Sequence, residues 1–148
     1  MSGSGRTEGR SLVAGKAEGE ALVLEEPLSF WGGVDPATGR IIDAHHPQRG
    51  VVVTGRVLVM PSGRGSSSSS SVLAETVRAG TAPAAIVLTE PDAILVVGAV
   101  AAQELYGRTC PIAVLDRTAH GAIASGDRIV LEADGALLIR PGRPGAPR

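Results

Sequence analysis

The chain has 148 residues, of which 43% are hydrophobic, and a formal net charge of -1 from 14 basic and 15 acidic residues. This length and apolar content suffice for the core of one domain, while the balanced charge excludes a basic surface for nucleic acid. The single cysteine, Cys110, excludes an internal disulfide, a redox-active cysteine pair and a metal cluster held only by thiolates of this chain.

The sequence shows no signal for export or membrane insertion. Met1 to Arg10 is polar and glycine-rich and lacks the apolar segment of a signal peptide. The longest apolar stretch, Ala93 to Ala102, is too short to span a bilayer. We therefore expect a cytoplasmic protein with no membrane partner.

The first half of the chain combines short strands with one long loop. Leu12–Ala14 and Glu20–Leu24 are predicted strands, joined as a hairpin by the turn-like residues between them. Residues 26–50 are rich in Pro, Gly, Asp and His and are predicted to form a long structured loop. Val51–Met60 is then predicted as a buried strand with a bulge at Gly55.

Helices and strands alternate in the second half. A serine run, Ser66–Ser71, leads into an amphipathic helix that ends at Gly80. The elements that follow are predicted as a strand, a helix and three strands: Pro83–Leu88, Asp92–Tyr106, Pro111–Leu115, Asp127–Leu131 and Ala136–Ile139. This order predicts an α/β fold, a β/β/α layered domain over residues 10–140, with a flexible N-terminus at residues 1–9 and a disordered tail at residues 141–148.

The glycine-rich turn between a buried strand and the serine helix is the strongest candidate site. In Gly63–Ser67 (GRGSS), the glycines permit close backbone approach, while Ser66 and Ser67 fall at N-cap or first-turn positions. Such a turn directs backbone N–H groups and the positive end of the helix dipole at one point. An oxyanion or a carboxylate binds well there.

Other interpretations of this segment have different requirements. A flexible Ser/Gly linker is typical of low-complexity serine, but this run is bounded directly by a buried strand and an amphipathic helix. A hydrolase triad is not indicated, because the sequence has no GxSxG elbow and its histidines lie in unrelated loops. A Walker A phosphate loop requires a lysine that is absent after Gly65. Activation of a serine by N–H donors and a cation fits the loop better.

Three motifs in this order resemble the small subunit of the aconitase X family: Pro27–Pro36 (PLSFWGGVDP), Gly55–Val59 (GRVLV) and Gly63–Ser67 (GRGSS). The resemblance implies a swivelling domain with an aconitase C-terminal-domain-like fold and a large catalytic subunit as partner. That partner is expected to carry an iron–sulfur cluster or a simpler iron site, while this chain alone binds no metal or cofactor. The family's activities are dehydration of cis-3-hydroxy-L-proline in bacteria and of mevalonate 5-phosphate in archaea.

The resemblance also implies roles for the loop residues. The first serine after Gly-x-Gly, here Ser66, is the general base that takes the proton α to the substrate carboxylate, while the iron accepts the leaving hydroxyl. Ser67, Gly65 and Arg64 are the expected substrate-binding residues. In other aconitases an arginine that follows the two serines binds a carboxylate, but here that position is Ser68. The carboxylate must then be bound by Arg64, by helix N–H groups or by the large subunit.

The substrate and the function class each have an alternative. The bacterial-looking composition favours cis-3-hydroxy-L-proline, with mevalonate 5-phosphate as the alternative. A non-catalytic phosphocarrier or interaction module is the alternative from another class, with His120, and then His45 and His46, as the nearest carrier positions. We otherwise expect the two histidines in a surface or interface loop, Cys110 to pack as a small hydrophobe and Phe30-Trp31 to serve an interface.

Overall fold

The computed structural model describes residues 5–142, so that residues 1–4 and most of the predicted tail, residues 143–148, lie outside the described residues. This part of the chain forms ten strands and three helices. The strands are β1 (Gly5–Thr7), β2 (Arg10–Val13), β3 (Ala17–Val23), β4 (Val34–Asp35), β5 (Arg40–Ile41), β6 (Val57–Val59), β7 (Ala85–Leu88), β8 (Ile112–Val114), β9 (Arg128–Leu131) and β10 (Leu137–Arg140). The helices are α1 (Ser69–Ala79), α2 (Ala93–Tyr106) and α3 (Arg117–Gly121).

Eight of these strands form one mixed sheet in the order β1-β10-β9-β3-β6-β7-β8-β2, and β4 pairs with β5 in a separate hairpin. Neighbours among β3, β6, β7 and β8 are parallel, whereas β1, β10, β9 and β2 join the sheet through antiparallel pairs. The parallel part contains strand–helix–strand connections through α1 and α2, as the alternating sequence pattern predicts. The predicted α/β fold is therefore confirmed.

The two faces of the parallel strands belong to different apolar cores. On β7, Ile86 and Leu88 belong to a cluster with side chains of α1 and α2, whereas Ala85 and Val87 belong to a cluster with side chains of β9 and β10. This alternation follows from the two-residue period of an extended strand. Since the second cluster contains side chains from both parts of the sheet, the antiparallel part curls over the parallel part. The result is the β/β/α layering predicted from the sequence.

The prediction that β2 and β3 form a hairpin is wrong. β2 pairs with β8 at an edge of the sheet, while β3 lies between β9 and β6. β3 buries Ala21 in one core and Leu22 in the other, and it takes hydrogen-bonding partners on both sides. No edge of β3 remains for β2, and the turn composition between the two segments does not encode that choice.

The predicted strand Val51–Met60 is shorter in the structure. Only Val57–Val59 is a strand, because Thr54 and Gly55 form a turn in which Gly55 adopts a φ of +72°. This positive φ, rather than a bulge, is the reason for the glycine at this position.

Four short elements have no counterpart among the predicted ones: β1, α3 and the two strands β4 and β5 within the predicted loop. β1 lies within the predicted flexible N-terminus and pairs with β10, so residues 5–7 belong to the sheet. α3 follows the cap residue Asp116, whose carboxylate accepts a hydrogen bond from the Ala119 N–H at 2.8 Å. Elements of three and five residues are too short to show an apolar period.

Candidate functional site

The serine loop, residues 61–68, connects the end of β6 to the start of α1. The carbonyl of Pro61 accepts hydrogen bonds from the Thr89 backbone N–H at 2.9 Å and from the Thr89 hydroxyl at 3.0 Å. Farther along, Gly63 forms an isolated β-bridge with Leu28. These contacts attach the loop to the carboxyl end of β7 and to the PLSFWGGVDP motif. The prediction that the serine run opens a helix is confirmed, but α1 begins at Ser69 with Ser68 as its N-cap. Ser66 and Ser67 therefore precede the helix instead of lying at its cap or in its first turn.

Ser66 is partly buried, and its Oγ accepts a hydrogen bond from the Ser68 backbone N–H at 3.1 Å. Its carbonyl oxygen accepts the N–H of Ser69, the first residue of α1, at 2.9 Å. Within the described part of the chain, the backbone N–H groups of Gly65, Ser66 and Ser67 have no protein acceptor. The loop therefore provides one donor to the Ser66 hydroxyl and three unpaired donors to an incoming anion.

The residues predicted from the sequence as site residues lie side by side. Arg64, Gly65 and Ser66 line a cleft of about 20 Å³, and Ser67 lines the adjoining groove with Ile94. Arg64 and Ser67 are exposed, and Arg64 forms no ion pair with any residue between 5 and 142. The guanidinium of Arg64 is thus available to a ligand. The cleft itself holds little more than a water molecule, so an organic substrate needs walls from another chain.

Gly65 is required by the shape of the loop. Its φ is +96°, a conformation that residues with a Cβ rarely adopt. A Cβ at this position would lie 3.0 Å from the Ser29 Oγ. The glycine therefore serves both the backbone turn and the close approach of the 27–36 motif to the residue before Ser66.

Several walls of the cleft were not predicted as site residues: Leu28, Phe30, Ser69, Asp92, Ile94 and Leu95. Asp92 caps α2, since its Oδ1 accepts the Leu95 N–H at 3.1 Å, and a Cβ on Gly63 would lie only 2.5 Å from its Oδ2. The Pro91-Asp92 pair before an apolar helix signals the cap in the sequence. Its proximity to the serine loop follows from the parallel pairing of β6 and β7, which single-sequence patterns do not encode.

The aromatic pair of the 27–36 motif divides between core and surface. Phe30 is fully buried, so the prediction that both aromatics serve an interface is wrong for Phe30. Trp31 is 57% exposed and remains a candidate for an interface. The chain turns at this point, and the Val34 N–H donates to the Phe30 carbonyl oxygen at 3.3 Å.

The histidines hold loops in place. His46 is buried, its Nε2 lies 3.1 Å from the Glu26 carbonyl oxygen, and its Nδ1 accepts the Gln48 N–H at 3.0 Å. The sequence predicts both adjacent histidines in a surface or interface loop. That loop is largely exposed, and so is His45, whereas the side chain of His46 is buried. The Nε2 of His120 donates to the carbonyl oxygens of Met60 and Val87. One ring nitrogen of His120 is thereby occupied, which disfavours a phosphocarrier role.

Cys110 packs as a small hydrophobe, as predicted. It is fully buried, and burial raises the pKa of its thiol to about 12. No group of three or more His, Cys, Asp or Glu side chains in residues 5–142 is arranged to hold a metal ion. None of the helices in the same range is long and apolar enough to cross a bilayer.

A family model described as the aconitase X swivel domain matches residues 6–139. The chain belongs to the aconitase X swivel domain family. A cis-3-hydroxy-L-proline dehydratase of Pseudomonas aeruginosa is 57% identical to this swivel domain over 106 residues, which cover 72% of this chain and 18% of that enzyme. The phosphomevalonate dehydratase small subunit of Thermococcus onnurineus is 39% identical over 133 residues, which cover 90% of this chain and 96% of that subunit.

Solved structures show the same fold. The crystal structure of Thermococcus kodakaraensis aconitase X in its holo-form superimposes on this swivel domain with a TM-score of 0.82 at 34% identity, over 93% of this chain and 99% of that one. The similarity therefore covers nearly the full length of both chains. The swivel domain spans only 18% of the length of the Pseudomonas dehydratase it matches, so most of that enzyme has no counterpart in this chain.

Proposed function

We propose that this swivel domain is the small subunit of a hydro-lyase and that Ser66 is its general base. The observation that carries the proposal is the setting of Ser66 in a glycine turn before α1, with an N–H donor to its Oγ and three unpaired N–H groups beside it. The reaction class is supported by relatives that are named dehydratases. The base removes the proton α to a carboxylate, and the hydroxyl on the next carbon departs as water.

A serine hydroxyl acts as a base only where its alkoxide is stabilised. At Ser66 this stabilisation comes from the Ser68 N–H, 3.1 Å from Oγ, and from the positive end of α1. No His, Asp or Glu among the described residues is hydrogen-bonded to Ser66. Activation by the backbone, rather than by a hydrolase-type partner, is the mechanism that the loop supports.

The substrate carboxylate is bound by the same turn. The unpaired N–H groups of Gly65, Ser66 and Ser67 and the exposed guanidinium of Arg64 are the available donors. A carboxylate bound to these N–H groups has its α carbon next to the Ser66 hydroxyl, because residue 66 contributes to both. Binding by Arg64 replaces the arginine that other aconitases have at the position of Ser68.

Sequence similarity favours cis-3-hydroxy-L-proline as the substrate. Identity is 57% over 106 residues to a dehydratase named for it, against 39% over 133 residues to a phosphomevalonate dehydratase small subunit. Loss of the α proton and of the 3-hydroxyl yields water and an enamine, which tautomerises to 1-pyrroline-2-carboxylate. Mevalonate 5-phosphate is the alternative, since a cluster of N–H donors with an arginine binds a phosphate as well as a carboxylate.

Any iron in the enzyme belongs to the partner chain. The described residues provide no metal-binding cluster, and Cys110 is buried with a raised pKa that keeps its thiol protonated. When bound in the large subunit, iron supplies a Lewis acid for the departing hydroxyl. The task of this chain is to place Ser66 and the carboxylate donors against that site.

An apolar face beside the serine loop supports the assignment of a protein partner. On α2, Val97, Val100 and Leu105 are 57%, 46% and 69% exposed, and residues 93–103 carry no charge. The groove between α1 and α2 begins at Ser67 and Ile94, and Ile94 also lines the Ser66 cleft. A chain that completes the substrate site next to Ser66 therefore also covers this groove. We assign the groove to the large subunit.

The test is turnover by the complex of this chain with its large subunit. Water elimination is measured on cis-3-hydroxy-L-proline and on mevalonate 5-phosphate, with the iron content determined in parallel. We expect turnover of the hydroxyproline; turnover of the phosphorylated substrate alone would assign the alternative activity. No elimination from either by an iron-loaded complex would refute the proposal.

A further inference from the structure

The start of α1 contains a ring of hydroxyl hydrogen bonds that nothing in the sequence predicts. The Trp31 N–H donates to the Ser69 Oγ at 3.1 Å, and the Ser29 Oγ donates to the Trp31 carbonyl oxygen at 3.0 Å. The two hydroxyl oxygens lie 3.2 Å apart. Because the Ser29 hydroxyl donates its one hydrogen bond to Trp31, the Ser69 hydroxyl is the donor between the two serines. The bonds therefore form a closed ring through Trp31, Ser69 and Ser29.

Both serines of this ring contact the backbone around Ser66: Ser69 contacts the Ser66 carbonyl group, and Ser29 contacts Gly65. The backbone N–H of Ser69 donates to the Ser66 carbonyl oxygen at 2.9 Å. On the other side, Gly65 packs so closely on Ser29 that an added Cβ would lie 3.0 Å from its Oγ. A shift of either serine of the ring thus moves Gly65 or the Ser66 peptide.

We infer that Ser69 and Ser29 are positioning residues that hold Ser66 in its productive place; the inference rests on the proposed function. Ser69 is only 3% exposed, and its Oγ both accepts and donates within the ring. It is therefore unavailable as a base although it lines the cleft. Among the six serines of the run, Ser69 alone bonds to the 27–36 motif within the described part of the chain.

The same serine run provides a matched control. Ser71 lies in the same helix, two residues after Ser69, but its side chain is exposed and forms no hydrogen bond among residues 5–142. Replacing Ser71 by alanine removes the same hydroxyl group at a site with no hydrogen bond to Ser66. Because Ser71 also lines the groove between α1 and α2, its complex is assayed at a saturating concentration of the large subunit. Both substitutions remove one serine hydroxyl, but only Ser69→Ala breaks the hydrogen-bonded ring.

The first measurement is steady-state kinetics of the complete complex carrying Ser69→Ala, Ser29→Ala or Ser71→Ala. Misplacement of a reacting group by about 1 Å costs on the order of 100-fold in rate, so we expect kcat to fall about 10- to 100-fold in the two ring variants. KM should change by less than about threefold, because the Ser67 N–H and the Arg64 guanidinium have no contact with the ring and still bind the carboxylate. Ser71→Ala should retain the parent kcat. Parent-like kcat in Ser69→Ala would overturn the inference.

A second measurement does not depend on activity. Solvent exchange of the Ser68 and Ser69 amide protons is followed by NMR in the full chain, since both protons bond to Ser66 atoms. Loss of one ordinary hydrogen bond corresponds to about fivefold faster exchange, which we expect in Ser29→Ala and Ser69→Ala but not in Ser71→Ala. Unchanged exchange in both ring variants would overturn the inference even if the complex proved inactive on both substrates. Inactivity of the parent complex, by contrast, would refute only the proposed function.

Discussion

Replacement of Gly65 by alanine tests whether the shape of the serine loop sets the position of Ser66. At a φ of +96°, a residue with a Cβ is destabilised by about 1–2 kcal/mol. The new Cβ also lies 3.0 Å from the Ser29 Oγ, so either the loop or the hydroxyl ring must shift. We expect the melting temperature to fall by about 2–8 °C and kcat to fall by about 10- to 100-fold.

Gly80→Ala is the control for backbone strain. Gly80 ends α1 with a φ of +79°, and no atom lies within 4 Å of the position of an added Cβ. Its substitution should lower the melting temperature by a similar amount and leave kcat unchanged, because the serine loop lies at the other end of the helix. The assays are thermal unfolding of the isolated chain and turnover of the complex. A Gly65→Ala complex with the kcat of Gly80→Ala would refute the claim that loop geometry controls the base.

The remaining predictions concern the partner surface, the cap of α2 and the buried thiol. Val97→Glu or Leu105→Glu should weaken binding of the large subunit by at least about 30-fold, since a buried unpaired charge costs about 2 kcal/mol or more. Leu138→Glu on β10 is the control and should not weaken binding. Equal Kd values for all three variants in a titration would exclude the α2 groove as the interface. Asp92→Ala should lower the free energy of unfolding by about 1 kcal/mol through loss of the helix cap, whereas Asp92→Asn should keep most of the stability of the cap. Denaturant unfolding measures both variants, and parent-like stability of Asp92→Ala would show that the cap contributes nothing. Because burial raises the pKa of Cys110 to about 12, the native state keeps a proton that the unfolded state loses above about pH 9. The contribution of this thiol to stability is therefore complete below about pH 9 and falls by up to about 1.4 kcal/mol per pH unit above it. Unfolding curves of Cys110→Ala should lack this slope, and an identical slope would contradict the prediction.

The parts of the fold that sequence patterns predict are those with a strong period or a local stop signal. The helix Asp92–Tyr106 and the strand Pro83–Leu88 contain long apolar runs, and the structure has α2 and β7 there. The turn-like residues between β2 and β3 predict a hairpin, but the composition of a strand does not indicate which strand it pairs with. Their actual partners are separated from them by many residues along the chain.

Local sequence patterns likewise reveal only part of the candidate site. Gly63–Ser67 is contiguous, so its glycines and serines reveal the loop directly. Ser29, Asp92 and Leu28 reach the loop through tertiary contacts and carry no local mark of that role. The serine run itself hides the difference between its members, since Ser66 and Ser69 have the same side chain and only burial and hydrogen bonding separate a proposed base from a positioning residue.

The most direct test of the central claim is the kcat of the complex carrying Ser66→Ala, with Ser71→Ala beside it and the iron content and subunit ratio confirmed for both. General base catalysis contributes about 10²- to 10⁴-fold, so the account predicts a loss of that size for Ser66→Ala and parent-like turnover for Ser71→Ala. An intact, iron-loaded Ser66→Ala complex that eliminates water within a few-fold of the parent rate would contradict the assignment of Ser66 as the base.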